Sequence, residues 1–509
     1  MLAASFAWPV HGQSLVEIYT SARGYDATYQ GARAQYEATL ARAAQSRAGI
    51  LPTVGLSAGA SHTRQDLSTE GSATTRGFNT QSVGINATQP LYRPANWAAY
   101  EQGQRQAEVA QMVLTIAEQD LIVRVSQAYF DVLASQDSLA LVRAQKVAVA
   151  EQLASAKRNF EVGTSTITDS REAQARYDLV IAQEIAAEND LQVKKVVLDQ
   201  LVGRPGSVPV PLAAPVVLPT AQPADINAWV AQADEVHPAI RQARLGLDVA
   251  GLEVQKAQAG HKPTLDANLG YNVTRNPTGT STSTVGTRVN AATVGVTFNL
   301  PLFAGFATEN RIKETLALED QSRSVLEGTR RSVAQATRAA YLGLVSGAGQ
   351  VKALEAAESS SQSALDANKL GYQVGVRINI DVLNSQSQLF QTKRDLAQAR
   401  YNVLLGNLKL RQANGTLTTD DMNAINATLA RNGSTPAVPA ATTGAPVVPV
   451  TPPAIPVVPP VPVQPFNPPA PTMPSAPPPP VARPRHGSTT KTPAQPAPSR
   501  RGAPGSRPA

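Results

Sequence analysis

The sequence contains no cysteine. That absence excludes disulfide frameworks, thiol catalysis and cysteine-ligated metals, and it suits an oxidising compartment. No run approaches the ~20 consecutive apolar residues that a membrane-spanning helix requires. A chain of this kind crosses a bilayer only as a closed β-barrel, because backbone polar groups must pair with one another inside hydrocarbon. Catalytic constellations are missing too. His11, His62, His237, His261 and His486 have neither ligand nor triad spacing, and there is no phosphate-binding glycine loop. His261, just before Lys262-Pro263, reads as a structural residue at a helix–strand junction. Neither an enzyme, a metal nor a cofactor is expected. From Ser434 onward the chain lacks Asp and Glu altogether but carries Arg483, Arg485, Lys491, Arg500, Arg501 and Arg507. The formal net charge of +7 therefore sits mostly in that tail, and the body is close to neutral. A basic isoelectric point so placed is not a nucleic-acid footprint of the fold, and no nucleic-acid partner is expected.

What is present is an internal duplication. Leu51-Pro52-Thr53-Val54 recurs as Lys262-Pro263-Thr264-Leu265, and Pro90-Leu91-Tyr92 as Pro301-Leu302-Phe303, each 211 residues later. Ala128-Tyr129 recurs as Ala340-Tyr341, and Glu161-Val162-Gly163 as Gln373-Val374-Gly375, each 212 residues later. Residues 13–225 and 226–432 are thus expected to be two copies of one structural half. An apolar segment at residues 1–12 resembles the end of a signal peptide without its basic leader, so the true start is expected upstream. Residues 433–509 form a proline-rich tail: 25 of the 39 prolines follow Ser434. Such a stretch is expected to be disordered or polyproline-like.

Within each copy the hydrophobic period switches. Leu15 to about Ile50 reads as helix. Val54, Leu56, Ala58 and Ala60 then alternate with polar or small residues, as do Leu265, Ala267, Leu269, Tyr271 and Val273. Strands are expected at about 53–65, 81–92, 264–276 and 289–303, joined by polar loops at Ser68–Thr80 and Pro277–Arg288. One apolar and one polar face fits lipid outside and water inside, with Tyr92 and Phe303 at an aromatic girdle. A soluble half-buried hairpin has the same pattern, and strands alone do not separate the two. Very long helices follow, from about Pro94 to Phe160 and from Phe306 to Tyr372, each roughly 100 Å at 1.5 Å per residue. Leu121, Val125, Ala128 and Val132 step as a heptad seam, and Leu326, Val333 and Ala340 step by seven. Shorter helices return over Asp169–Leu201 and Asp381–Gln412. Gly203–Pro223 is a linker, Asp225 starts a short helix, and His237-Pro238 breaks into the next.

Four strands do not close a barrel and leave two unpaired edges in lipid. Two copies of the chain give eight strands, whose interior side chains fill. Three copies give twelve, with an open lumen, and cyclic symmetry closes the head-to-tail contact. The helices then continue the barrel as a tube, with the turns at Gly163 and Gly375 at its far end. The rival architecture is a periplasmic coiled-coil scaffold or adaptor, which would not need the amphipathic strands.

Gly371-Tyr372-Gln373-Val374-Gly375 with Arg377, Asp381-Val382-Leu383, Ala397-Gln398-Ala399-Arg400-Tyr401-Asn402 and Gly415-Thr416-Leu417 resemble the TolC family of outer-membrane efflux and secretion channels. The resemblance extends from about Gln13 to Arg431. It implies a mostly α-helical homotrimer with a small twelve-stranded transmembrane β-barrel continued by a periplasmic α-helical tunnel. It also implies a duct that passes small molecules or unfolded protein passively from periplasm to exterior. Its partners would be outer-membrane lipid, a periplasmic adaptor (membrane fusion protein) and an inner-membrane pump or ABC transporter. The adaptor would dock at the hairpin tips, around Val162, Gly163, Val374 and Gly375. The tip gate would be held by Tyr372 and Arg377, bonded to Gln152, Thr168 and Asp169, with Asp381 and Asn384 at the constriction. Links of this kind contribute about 1–2 kcal/mol each, within reach of a docking partner. Phe160 stands where Tyr372 does in the other copy, and Ser165 where Arg377 does, so the two hairpins are unlike. Read alone, Asp169 followed by Glu172 is a helix-capping box. Asp381 likewise favours a helix N-terminus, and Arg377 fits a solvated turn.

The family carries two acidic positions one helical turn apart at the entrance, whereas here Asn384 takes the second place after Asp381. Three chains then supply one ring of carboxylates rather than two. Cation selectivity weaker than that of a two-ring channel is expected, and a planar-bilayer reversal potential as strongly cation-selective as a two-ring relative's would contradict it.

Overall fold

The computed structural model describes residues 12–427 and 429, apart from 70, 214, 215 and 217. The expected signal-like segment, save Gly12, and the proline-rich tail lie outside the described residues. Nine α-helices and four strands are described, and the four strands form a single antiparallel sheet in the order β1-β2-β3-β4.

α1 (Leu15–Tyr25) starts at a capping box, in which Ser14 and Glu17 satisfy each other's backbone N–H groups. The single helix expected from Leu15 to Ile50 is broken at Asp26. That carboxylate accepts the Tyr29 N–H at 2.8 Å and so caps α2 (Ala27–Ser46). It also grips the Arg124 guanidinium at 2.9 and 3.1 Å. A 3₁₀ turn, Arg47–Ile50, leads from α2 into β1 (Thr53–Thr69).

β1 and β2 (Ser72–Tyr92) stay in register out to Thr69 opposite Ser72. The polar run 68–80 is therefore mostly strand rather than loop. Gly71, at φ +91°, supplies the left-handed backbone that a two-residue hairpin turn needs. Backbone pairing sustains the ladder there without an apolar side. In the second copy the loop is real: β3 (Thr264–Asn276) and β4 (Thr287–Asn299) are joined by residues 277–286. Thr278 accepts the Asn79 N–H at 2.7 Å, which lays this loop against β2. β4 stops at Asn299, so Phe303 lies beyond the strand expected to contain it.

The registers sort the side chains by face. Leu56, Ile85, Tyr271 and Ala292 form one cross-strand row, and Val54, Ala87, Leu269 and Val294 the next. This apolar face is bare: Leu56 is 74% and Val294 83% exposed. The opposite face is polar. Thr88 donates to Asn268 at 3.2 Å and Asn268 to Thr297 at 2.8 Å. At its base Arg93 forks onto Asp266 at 2.7 and 2.5 Å. β1 and β4 each pair on one side only among the described residues.

α3 (Pro94–Glu161) returns through α4 (Ile167–Val202), and α7 (Ala307–Gln373) through α8 (Asn379–Asn414). Pro94 supplies a preset first turn to α3. The expected seam of α3 is buried, with Leu121, Val125 and Val132 fully enclosed, and Leu326, Val333, Leu344 and Val351 line the sparser seam of α7. Between the pairs run α5 (Ile226–Val236), capped by Asp225, and α6 (Pro238–Gln258), capped by His237. α9 (Thr419–Asn426) packs Met422 and Ile425 into the principal core with Leu15, Tyr129, Phe130 and Leu404.

The repeated landmarks have repeated tasks. The Tyr129 hydroxyl donates to the Val210 carbonyl at 2.9 Å, and that of Tyr341 to the Ala224 carbonyl, so each copy pins one end of the crossing linker. Gly203 and Gly415 end α4 and α8 with φ of +72° and +82°. A Cβ on Gly203 would lie 2.4 Å from the Tyr25 ring, and one on Gly415 2.5 Å from the His237 backbone. Gly203→Ala is expected to destabilise by about 2–4 kcal/mol, combining left-handed strain with overlap. Gly251→Ala, on a helix with open space around it, is expected to be neutral or mildly stabilising. Thermal unfolding of the two purified variants checks the contrast.

Candidate functional site: the hairpin tips

The tips of the two long hairpins face each other across a polar groove of about 640 Å³, lined by Gln152, Asn159, Asp169, Tyr372, Arg377 and Asn379 among others. Both turns use the same backbone solution. Gly163 and Gly375 adopt φ of +78° and +80°. The Thr164 N–H bonds back to the Asn159 carbonyl at 2.8 Å, and the Val376 N–H to Gly371 at 2.9 Å. These are left-handed helix ends of the type that glycine permits. The side chains on this shared backbone differ.

α4 begins at a capping box whose N-cap is Thr166 and whose third residue is Asp169. The box expected from Asp169 and Glu172 is thus shifted by three residues, because the Thr166 hydroxyl takes the capping place and Asp169 reaches back to it. Burial alone raises the Asp169 carboxyl's pKa, but hydrogen bonds from Ser165 and Thr166 outweigh it and hold it below the ordinary range. This contribution to the turn is present above the ordinary Asp pKa and is lost as pH falls through the lowered folded value.

Asn379 joins the two hairpins through two hydrogen bonds. It is fully buried at the start of α8. Its Oδ1 accepts from Gln152 Nε2 at 2.5 Å, and its Nδ2 donates to the Asp169 backbone carbonyl at 3.2 Å. Tyr372 is half-buried, and its hydroxyl accepts from Asn159 at 3.3 Å. Arg377 pairs with Asp381 on its own hairpin at 3.7 Å, with its side chain over Gly371, where a Cβ would stand 2.6 Å from Arg377 Cγ. Within one chain, then, Gln152 meets Asn379 rather than Tyr372 or Arg377. Asp169 is engaged by its own turn. Thr168 is exposed and does not line the groove. Asn384 is exposed one turn beyond Asp381 and accepts from Arg176 at 2.8 Å.

Sequence reasoning missed two contributors, Asn159 and Asn379. Asn379 was detectable in principle. The 212-residue offset places Ile167 at its position in the first copy, a polar-for-apolar difference like that of Tyr372 and Phe160.

Apolar side chains crowd the outside of both turns. Val162, Val374, Val376 and Ile378 are 72, 65, 79 and 60% exposed. Among the described residues no group of three or more His, Asp or Glu is placed to hold a metal ion.

A family model for the outer membrane efflux protein matches residues 19–204 and 229–416. The outer membrane protein TolC of Vibrio cholerae serotype O1 is 34% identical over 420 residues, covering 82% of this chain and 94% of that protein. The proteases secretion protein PrtF of Dickeya chrysanthemi is 28% identical over 80% of this chain and 89% of its own. Among solved structures, the outer membrane protein VceC of Vibrio cholerae superposes with a TM-score of 0.67 at 18% identity, covering 79% of this chain and 96% of VceC. The open-state MtrE outer membrane channel of Neisseria gonorrhoeae gives 0.66 at 18%, covering 80% and 90%.

Asn379→Ala removes both bridging bonds and leaves the Gln152 amide and the Asp169 carbonyl short of a partner. A loss of about 1–3 kcal/mol between the hairpins is expected. Amide hydrogen exchange at Thr164–Thr166 and Val376–Ile378 should rise about 5- to 100-fold, while exchange around Tyr129 stays unchanged.

Proposed function

This chain belongs to the outer membrane efflux protein family, an exit duct of the outer membrane that serves efflux and type I secretion; from that premise we propose that it works as a homotrimer whose periplasmic tip is a partner-operated gate. The observation that carries the reading is the sheet. An apolar face that no described element covers, bounded by two edges unpaired among the described residues, is stable where lipid covers the face and further copies pair the edges. Three copies bring twelve strands together, wide enough for a lumen. The helical hairpins then continue the barrel into the periplasm, and cargo passes without energy input from the duct itself.

The gate consists of polar links on a common glycine-turn frame. Gln152, Asp169 and Asn379 tie the hairpins within a chain, and Tyr372 is held by Asn159. Among the described residues the Arg377 side chain has only a long contact to Asp381, and it remains 57% exposed. It therefore has donors free for a neighbouring chain, which is where Thr168 and Asp169 of the next copy would receive them. The exposed valines around Gly163 and Gly375 offer the apolar anchor for a periplasmic adaptor, which in turn would link the duct to an inner-membrane pump or ABC transporter. Small polar links and an exposed apolar collar fit this arrangement: docking energy exceeds a few bonds of about 1 kcal/mol each.

Tyr372→Phe combined with Arg377→Ser is expected to raise the tip's open population by about tenfold or more without a partner present. Single-channel conductance in planar bilayers measures it. Unchanged conductance in a correctly assembled channel would remove these two residues from the gate.

A further inference from the structure

Above the tip, α3, α4 and α8 line a second polar recess, of about 410 Å³. Its lining includes two guanidinium groups, Arg176 and Arg394, and no carboxylate. Neither arginine has an ion pair among the described residues. That sets them apart from Arg143, which holds Glu184 and Glu188, and from Arg400, which holds Glu355. Neutral amides position both instead. Arg176 donates to Asn384 at 2.8 Å. Arg394 donates to Gln145 at 3.0 Å and to Gln391 at 2.7 Å. Gln145 is 3% exposed, so this anchor is fixed by packing. A guanidinium has five N–H donors, so each arginine keeps donors free after these bonds. Asp395 lies near enough to act on Arg394 electrostatically but makes no ion pair with it, bonding Gln391 instead. Half-buried, fixed guanidinium groups without a paired carboxylate match the geometry of carboxylate and phosphate oxygens.

We propose that this recess binds polyvalent oxyanions, carrying carboxylate or phosphate groups, and that Arg176 and Arg394 shift the ion preference of the tunnel mouth towards anions. The proposal rests on the reading that the Asp381–Asn384 face of α8 lines the tunnel. It goes further than the loss of one acidic ring. Asn384 does more than omit a carboxylate: its amide oxygen holds a cation at the place. Threefold symmetry repeats the recess around the axis, one turn or more above the Asp381 ring. A cation entering meets carboxylates first and guanidinium groups next, and an oxyanion that passes the first ring finds a binding site.

The test uses the full-length assembled channel in planar bilayers, with pyrophosphate added on the tip side and the zero-current potential read in a KCl gradient. Pyrophosphate should block the unmodified channel. In Arg176→Gln/Arg394→Gln the half-blocking concentration should rise by about tenfold or more, and the zero-current potential should move in the cation direction. Asp381→Asn should move it the opposite way. If Asp381→Asn shifts the potential but the glutamine pair changes neither potential nor block, the recess is not an anion site and the tunnel reading stands. If none of the variants shifts the potential, the tunnel reading itself fails. Should the glutamine pair not assemble, Arg176→Lys/Arg394→Lys keeps the charge and removes the fork. Weaker block at an unchanged potential then supports the proposal, and unchanged block overturns it. An unmodified channel indifferent to pyrophosphate overturns it outright.

Discussion

The structure depends on the two edges of its sheet, which no described strand pairs. β1 and β4 each present a row of backbone donors and acceptors, and the face between them is covered with exposed Leu, Val, Ile, Tyr and Phe. In water such a face aggregates, and in lipid such edges are costly. A barrel shared among copies, as proposed, would answer both demands at once. The rest of the chain is consistent with that answer. The Arg93–Asp266 fork ties the start of α3 to β3, so that strand and helix are coupled at the base of the sheet. The principal core built around Tyr129, Phe130 and Leu404 braces the long hairpins near the middle of α3.

Duplication gives the molecule a pair of matched frames. Gly163 and Gly375 turn the hairpins, Gly203 and Gly415 end them, and Tyr129 and Tyr341 pin the linker that joins the copies. At these positions the backbone or a linker contact fixes the residue, and the copies agree. Where the copies face each other they differ: Tyr372 against Phe160, Arg377 against Ser165, Asn379 against Ile167. Asn379 brings both an amide donor and an acceptor to the junction, which Ile167 at the matching place does not, so one hairpin supplies the side chain and the other, through Gln152 and the Asp169 carbonyl, receives it.

Much of this was legible in the sequence because period and offset are robust signals. The long helices were readable from alanine-rich runs without proline, and the strands from alternation at the same place in each copy. Three features were not. The break at Asp26 joins a local cap, in which its carboxylate accepts the Tyr29 N–H, to a grip on Arg124 about a hundred positions away, which no local pattern announces. The extension of β1 and β2 through a polar run depends on cross-strand hydrogen bonds rather than on side-chain pattern. Asn379 looks like an ordinary polar residue near a turn until folding buries it against Gln152. The long-range polar contacts at the tip are therefore the least readable part of the fold, whereas the glycine turns that frame them are among the most readable.

The most direct measurement of the central claim is the mass of the assembly extracted from outer membranes in detergent, by native mass spectrometry before and after heating. The account predicts a species of three times the mass of one mature chain that resists dissociation until heated and then releases monomer. A stably folded monomer, with β1 and β4 unpaired and the apolar face in water, would contradict it.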